Sequence, residues 1–425
     1  MSIIDETSFH YKDFSLNVEG VPISLIANKI GTPFYIYSAS AIERNYKQFS
    51  LALSRLRHSI SYAVKANSNI AVLKLLGNLG AGMDIVSSGE YLRAKEAGIL
   101  GSKIVFSGVG KTKDEINLVI KGGIKQVNVE SESELSVLNS IASNLNECVP
   151  ISIRINPNID AGTHEKISTG RSDNKFGIPF DDAIKIFDKA SKSTNLKISG
   201  LAVHIGSQLT NLEPYKRTFL KIAELVKVLR NHGHEIKSLD LGGGIGIAYS
   251  GKTKTIDLID YAKLVKSTLG HLNCEFEFEP GRLIVGNAGL MVSSVIYLKY
   301  LKERNFIVID GAMNDLIRPA MYDAYHEILP VKEAKDPSRL KFDIVGPICE
   351  TGDTFARDRY FPILEEDDLI AFQSCGAYGA AMSSEYNSRP LIPEVLVKGE
   401  KFSIIRPRPS IKSMINREVI PDWMN

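Results

Sequence analysis

Among 425 residues there is one tryptophan and only four cysteines, and no stretch approaches the roughly 20 consecutive apolar residues that a membrane-spanning helix requires. Cys148, Cys274, Cys349 and Cys375 are widely spaced, with no C-x-x-C pair, which argues against a disulfide framework or a zinc site and leaves a single functional thiol open. Charge of one sign is also missing. The 51 Lys and Arg residues stand against 49 Asp and Glu, a net charge of +2, and no basic stripe is interleaved with aromatics, so nucleic acid is not an expected partner. The opening "MSIIDETSFHYKDFSL" carries early acids and no long apolar run, so neither a secretory signal nor a transit peptide is expected, nor a membrane partner, and the cytoplasm is the default. What is present, 44% hydrophobic and 24% charged residues, is the composition of an ordinary globular protein long enough for two large domains.

From residue 60 onward, eight short β-branched or apolar runs alternate with helix-patterned segments: "ISYAVKA", "MDIVS", "IVFSG", "QVNVE", "PISIRIN", "SGLAVHIG", "SLDLGGG" and "CEFEFEP". That alternation predicts an α/β fold, a (β/α)8 TIM-like barrel, with a doubly wound open sheet as the rival that the count of eight disfavours. Ser131 with Glu134 fits a capping box, and Gly233 is placed to end the helix before it. After Gly281, strand-like runs follow with few helices between them, including a hairpin turned by "KGEK", which predicts a mostly antiparallel β-domain. The expected division is residues 1–35 as a segment packing with the β-domain, 36–282 as the barrel and 283–425 as the β-domain.

Working residues of such barrels sit at the C-terminal strand ends. Here those ends carry Lys65, Asp84 with Ser87, Ser107, Glu130, Arg154 with Asn156, His204, the glycines after Asp240, and Glu279. Lys65 fits a solvated strand-end charge or, desolvated, a nucleophilic amine. Gly242, Gly243 and Gly244 fit a tight turn or a loop whose free N–H groups converge on an anion. Glu279 and Arg282 in "FEPGR" fit an ion pair, or a carboxylate aimed at a pyridine nitrogen. His204 fits a core residue or a ring lying on such a cofactor, with Ser207 beside its phosphate. Taken together, lysine, glycine loop, carboxylate and histidine point to pyridoxal phosphate held on Lys65 as a Schiff base.

The motifs "YAVKAN", "GMDIVSSGE", "HEKISTGRSDNKFGI", "HIGSQ", "LDLGGGIGI", "EPGR", "MNDLIRPAMYDAYHEI", "CETGD" and "GAYGAAMSSEYNSRP" run nearly end to end. In them the chain resembles the diaminopimelate decarboxylase family, one of the fold-type III pyridoxal-phosphate enzymes. The resemblance implies that Lys65 forms the internal aldimine beside Asp84, that His204 stacks on the ring, and that Glu279 pairs with its nitrogen. It implies further that Ser207, Gly242, Gly243, Gly244 and Tyr378 hold the phosphate, and that Arg282, Arg318, Tyr322, Glu350 and Tyr378 contact the substrate. Cys349 and Glu350 would come from the partner chain of a homodimer, with Cys349 as general acid.

The implied reaction converts meso-diaminopimelate to L-lysine and carbon dioxide, the last step of lysine biosynthesis. Its substrate carries a distal carboxylate and a distal ammonium, which Arg282, Arg318 and Glu350 can match; arginines there would repel ornithine. A decarboxylase of ornithine or arginine is the enzymatic alternative, and a non-catalytic relative is the alternative of another class. Residues 160–177 fit a loop over an active site or a plain surface excursion. Gly311-Ala312 inverts the Ala-Gly order expected of the family.

Overall fold

The computed structural model describes residues 8–160, 169–170, 174–251, 253–333 and 338–424. The chain divides into two units: one comprises Glu43–Ala248 with Thr253–Ile284, the other Met1–Ile42, Tyr249–Lys252 and Val285–Asn425.

In the first unit the eight strands are His58–Ala63, Gly82–Ile85, Ile104–Phe106, Gln126–Val129, Val149–Asn156, Leu196–Ala202, Ser238–Asp240 and Glu275–Phe278. All pair in parallel. Closure comes from the eighth strand lying against the first, Phe276 opposite His58, and from the fourth against the fifth, Val127 opposite Ile151. This is the expected closed barrel, with one short addition, Ile178–Pro179, paired to the fifth strand. Between the strands run helices such as Ile70–Asn78, Ser88–Glu96, Glu132–Asn144, Glu213–Asn231 and Leu258–Leu269. Gly233, at φ +88°, follows the end of its helix as expected.

Capping is locally encoded, with one difference from expectation. Ser131 accepts the Glu134 N–H, but the Glu134 carboxylate turns away to the Glu130 N–H and to Lys111 Nζ, so the reciprocal box is not formed. A buried ammonium outcompetes the local cap. The complete box belongs to Thr112 and Glu115.

Where strands crowd, glycine is required. A Cβ on Gly200 in the sixth strand would lie 1.8 Å from the Ser238 carbonyl oxygen of the seventh. Outside the eighth strand, Phe278 packs edge-on against Phe49 at 5.8 Å and Tyr261 at 6.1 Å, and Tyr261 continues to Tyr215 and Phe219. This aromatic wedge fixes the outer face of the strand that carries Glu277 and leads into Glu279.

The second unit is mostly antiparallel. Its sheet runs in the order Thr354–Pro362, Arg339–Val345, Asn305–Ile309, Gly289–Tyr300, Phe34–Ser38, Glu394–Lys398, Lys401–Arg406, with Leu369–Phe372 also on Gly289–Tyr300. Two pairings are parallel, Asn305–Ile309 with Arg339–Val345 and Phe34–Ser38 with Glu394–Lys398. Leu16, Ile26, Phe34, Ile36, Val292 and Val395 contribute to its core. No helix among the described residues is long and apolar enough to cross a membrane.

Phe278 is fully buried, so Phe278→Ala should cost about 3–5 kcal/mol of barrel stability. Urea unfolding followed by tyrosine fluorescence measures this, and a loss below about 1 kcal/mol would mean that the wedge does not anchor the strand.

Candidate functional site

The first barrel strand stops at Ala63, earlier than its apolar run suggests, and Lys65 stands on the single 3-10 turn Val64–Ala66 that follows. The turn after the eighth strand abuts it. Ala63 N–H donates to the Pro280 carbonyl at 3.1 Å, and a Cβ on Gly281 would come within 2.9 Å of the Ala66 Cβ. Thus the closing register of the barrel brings "VKA" and "EPGR" together. Lys65 Nζ lies 2.9 Å from Asp84 Oδ2; the lysine side chain is 37% exposed, while that of Asp84 is fully buried. Asp84 Oδ1 has no hydrogen-bond partner among the described residues. Beside them, Glu90 accepts the Val86 N–H, and burial pushes its carboxyl up to about 7. Glu90 lies in the motif "GMDIVSSGE", whose spacing gives it no role; its burial comes from tertiary packing.

A second cluster lies on the eighth strand and its neighbours. Asn128 Nδ2 donates to Asp240 Oδ2 at 2.9 Å and to Glu279 Oε1 at 3.4 Å, and the Ser107 hydroxyl also reaches Glu279 Oε1 at 3.4 Å. Burial, reinforced by Asp240 and Asp84, raises the Glu279 carboxyl well above its ordinary value; burial with Glu277 raises Asp240 to about 6. Both shifts run toward one proton shared by the hydrogen-bonded pair, favoured on the Glu279 side by its deeper burial penalty.

His204 follows the sixth strand. The Gly243 N–H donates to its Nδ1 at 3.2 Å, so Nδ1 is an acceptor and a neutral ring carries its hydrogen on Nε2. Burial, together with the positive charges of Arg154 and Lys65, holds the imidazole well below its usual value. Arg154 is locked by Glu130 at 2.6 Å, and Glu130 further accepts the Gly108 and Gly177 N–H groups. Arg282 donates to the Ser207 hydroxyl at 3.1 Å.

The glycine loop differs from the expectation of three free N–H groups. The Gly242 N–H goes to Asp240 Oδ1 at 3.0 Å and that of Gly243 to His204, whereas the Gly244 N–H has no protein acceptor among the described residues. Glycine is needed for fit: a Cβ on Gly243 would sit 2.2 Å from the Glu279 carbonyl oxygen, and Gly242 and Gly244 have φ of +64° and +93°. Two other strand-end residues do structural work. Ser87 caps the helix Ser88–Glu96, and Asn156 bonds the Phe176 carbonyl and the Asn158 N–H.

The remaining candidates belong to the second unit. Arg318 is buried and donates to His326 Nε2 at 2.8 Å, with its guanidinium 4.4 Å from the Tyr249 ring centre. Because His326 Nε2 accepts, its Nδ1 carries the hydrogen given to the Gln373 carbonyl at 2.7 Å. Tyr322 closes the same short helix, Arg318–Tyr322. Tyr378 holds φ +57°, a left-handed conformation that costs a bulky residue of order 1–3 kcal/mol.

Cys349 and Glu350 are exposed, and Glu350 accepts from the Tyr386 hydroxyl at 2.9 Å. Asp353 folds their loop by accepting the Met313 and Ile348 N–H groups at 2.7 and 2.8 Å. The roles of His326 and Asp353 follow from tertiary contacts that spacing does not display, though both fall within the quoted motifs. At the inverted pair, a Cβ on Gly311 would lie 3.0 Å from Ser293 Oγ, which favours glycine there. Of the segment 160–177, residues 161–168 and 171–173 lie outside the described residues.

Residues 39–286 match the family described as the pyridoxal-binding domain of pyridoxal-dependent decarboxylases. The chain is 43% identical over 422 residues to a diaminopimelate decarboxylase of Zymomonas mobilis, covering 98% of this chain and 99% of the relative. A solved diaminopimelate decarboxylase of Helicobacter pylori, complexed with L-lysine, is similar at 41% identity with a TM-score of 0.89 over 93% of this chain and 98% of that one. Another from M. jannaschii, also in complex with L-lysine, has 35% identity and a TM-score of 0.94 over 98% and 99% of the two chains.

Because its proton affinity is lowered in the fold, His204 should stay neutral, with its hydrogen on Nε2, where an ordinary histidine titrates at about pH 6.5. The folded chain then binds fewer protons than the unfolded one, so the histidine's contribution to stability is complete above about 6.5 and declines as the pH falls below it. Nitrogen NMR of labelled histidine tests this; a His204 midpoint at or above 6.5 would contradict it.

Proposed function

The chain belongs to the diaminopimelate decarboxylase family of pyridoxal-dependent decarboxylases, and from that premise we propose that it decarboxylates meso-diaminopimelate to L-lysine with pyridoxal phosphate held on Lys65. The observation that carries the reading is the juxtaposition, at one rim of the barrel, of an amine on a buried carboxylate and a buried, protonated acid.

The residues present fit the cofactor. Lys65 offers the amine, next to Asp84 with an unpartnered buried oxygen. Glu279 offers the ring nitrogen an acid that burial has kept protonated. Ser207, the Gly244 N–H and Tyr378 are assigned to the phosphate, with Gly242 and Gly243 giving the close backbone approach. When bound, pyridoxal phosphate supplies an electron sink for the pair left by the departing carboxylate.

The chain's own groups do the rest. Asp84 would hold the Lys65 ammonium before the cofactor is loaded and again receive the lysine once the substrate amine has taken its place. His204, neutral, borders the ring without adding a charge. Glu279 passes its proton to the ring nitrogen. Arg282 and Arg318 are assigned to the distal carboxylate of the substrate, Tyr322 to a further substrate contact, and Glu350 to the distal ammonium. Cys349 donates the proton that takes the place of carbon dioxide at the α-carbon, and its thiolate is recharged from solvent. Exposure of Cys349 and Glu350 supports a homodimer in which they serve the partner's site. Two related decarboxylase structures hold L-lysine, in agreement with lysine as product.

With added pyridoxal phosphate, carbon dioxide should be released from meso-diaminopimelate with lysine in equal amount, and not from L-ornithine or L-arginine. Release from either of the latter would overturn the distal-carboxylate assignment. Cys349→Ala, still yellow and folded, should lose at least about tenfold in kcat. Mixing Lys65→Ala with the impaired Cys349→Ala chains should raise activity to about a quarter of native if the sites are shared between subunits, and give no gain over the unmixed variants if each site is built within one chain.

A further inference from the structure

The wall of the barrel lumen formed by the seventh and eighth strands carries a stack of carboxyls. Alternation along Glu275–Phe278 sends Glu275 and Glu277 to the same side, with Glu279 next in line, and the register sets Asp240 opposite Glu277 and Ser238 opposite Glu275. Glu277, Asp240 and Glu279 are 6%, 2% and 9% exposed. Like charges at that depth cannot coexist uncompensated.

Glu277 is neutralised by Lys125 and further bonded by the Ser59 hydroxyl. Asp240 and Glu279 have no such cation of their own among the described residues. Their direct partners are the Asn128 amide, the Gly242 N–H, the Ser107 hydroxyl and each other. The charged groups facing the pair are Glu277 on the eighth strand, Asp84 on the second, and Lys65 on the turn after the first; Arg154 and Lys65 act on the neighbouring His204. Asp240 also lines a cavity of about 250 Å3 at the barrel floor, with Ser238, Lys125, Lys237, Glu275 and Glu277. The acid pair is thus bounded by the rim on one side and by a polar, open floor on the other.

We propose that Asp240 is a positioning residue that acts through Glu279: the two carboxyls hold one proton between them across Asn128, and the charge left on Asp240 favours a proton on the ring nitrogen that Glu279 faces. The inference rests on the proposed role of Glu279 and adds the group that sets it. One proton moves from a Glu279 oxygen to the nitrogen, and no electrons change hands. Asp240, ionised behind Glu279 in a medium of low polarity, stabilises the resulting positive ring, and Glu277 adds a smaller contribution from the floor, muted by Lys125. Neither residue touches substrate in this account.

Visible absorption of the cofactor-loaded protein against pH tests the proposal alongside kinetics. A less positive ring leaves the nitrogen contributed by Lys65 more basic, so the midpoint of the absorption change should rise. Asp240→Asn should raise it by about one pH unit, tenfold in proton affinity, and lower kcat at least tenfold with KM within about twofold. Glu277→Gln should move the midpoint in the same direction by less, and provides the measurement if Asp240→Asn does not fold. The proposal is overturned if Glu279→Gln shifts the midpoint while the Asp240 variant, or the Glu277 variant in its place, leaves it within about 0.2 units of the native value. If Glu279→Gln itself leaves the midpoint unmoved, the ring-nitrogen role of Glu279 is what fails.

Discussion

Charge balance inside the barrel lumen is the constraint on which the rest of the structure depends. Parallel barrels are ordinarily filled by layers of branched apolar side chains. Here the inward positions include Ser59, Glu277, Asp240, Asn128, Glu130 and Arg154, and each buried charge is answered where it stands. Glu277 has Lys125, Glu130 has Arg154, Glu134 has Lys111, and Asp84 has Lys65. Within the lumen the Asp240 and Glu279 pair is instead settled by a proton. With so polar a lumen, the apolar cohesion of the unit shifts outward, to the layer between strands and helices where Phe278, Phe49, Tyr261 and Tyr215 interlock.

That division explains what the sequence makes legible. Each of the eight strands has an outward face that must be apolar, so the runs at Ile60, Met83, Ile104 and their successors stand out by composition alone. Functional residues stand out for the complementary reason, since a lysine or glutamate at the end of such a run breaks the pattern. Less legible is anything that depends on which partner wins. Glu134 sits where a capping box would place it and is drawn instead to Lys111; the Gly242 and Gly243 N–H groups are taken up by Asp240 and His204. The strand Thr354–Pro362 escapes notice because its register slips near Asp358, at φ +48°, which breaks the alternation a reader of sequence relies on. The pairing of Asp240 with Glu279 needs strand register, which no local pattern states.

Two cysteines of the second unit show how burial assigns reactivity within one domain. Cys375 is buried near Arg318 and His326, and burial pushes its thiol up to about 12, so it is inert at neutral pH. Cys349 stands exposed on a loop whose shape is held by Asp353, through backbone N–H groups and not through the cysteine itself. The thiol is therefore presented by a rigid support while its sulfur keeps access to water.

Decarboxylation exchanges carbon dioxide for a proton at carbon, so each turnover consumes one proton at one place. In the proposed account the same site also keeps a second proton, which passes between Glu279 and the ring nitrogen and is not consumed. These two demands conflict if they share a source, because a donor that recharges quickly from solvent cannot also be a fixed store. In this chain the two protons sit in opposite environments. The Glu279 and Asp240 pair keeps its proton by burial, strand register and a shared amide, and the proposed donor, Cys349, is exposed and recharges from water. A lumen too polar to be a hydrophobic core thus serves as the place where a proton can be stored without being spent.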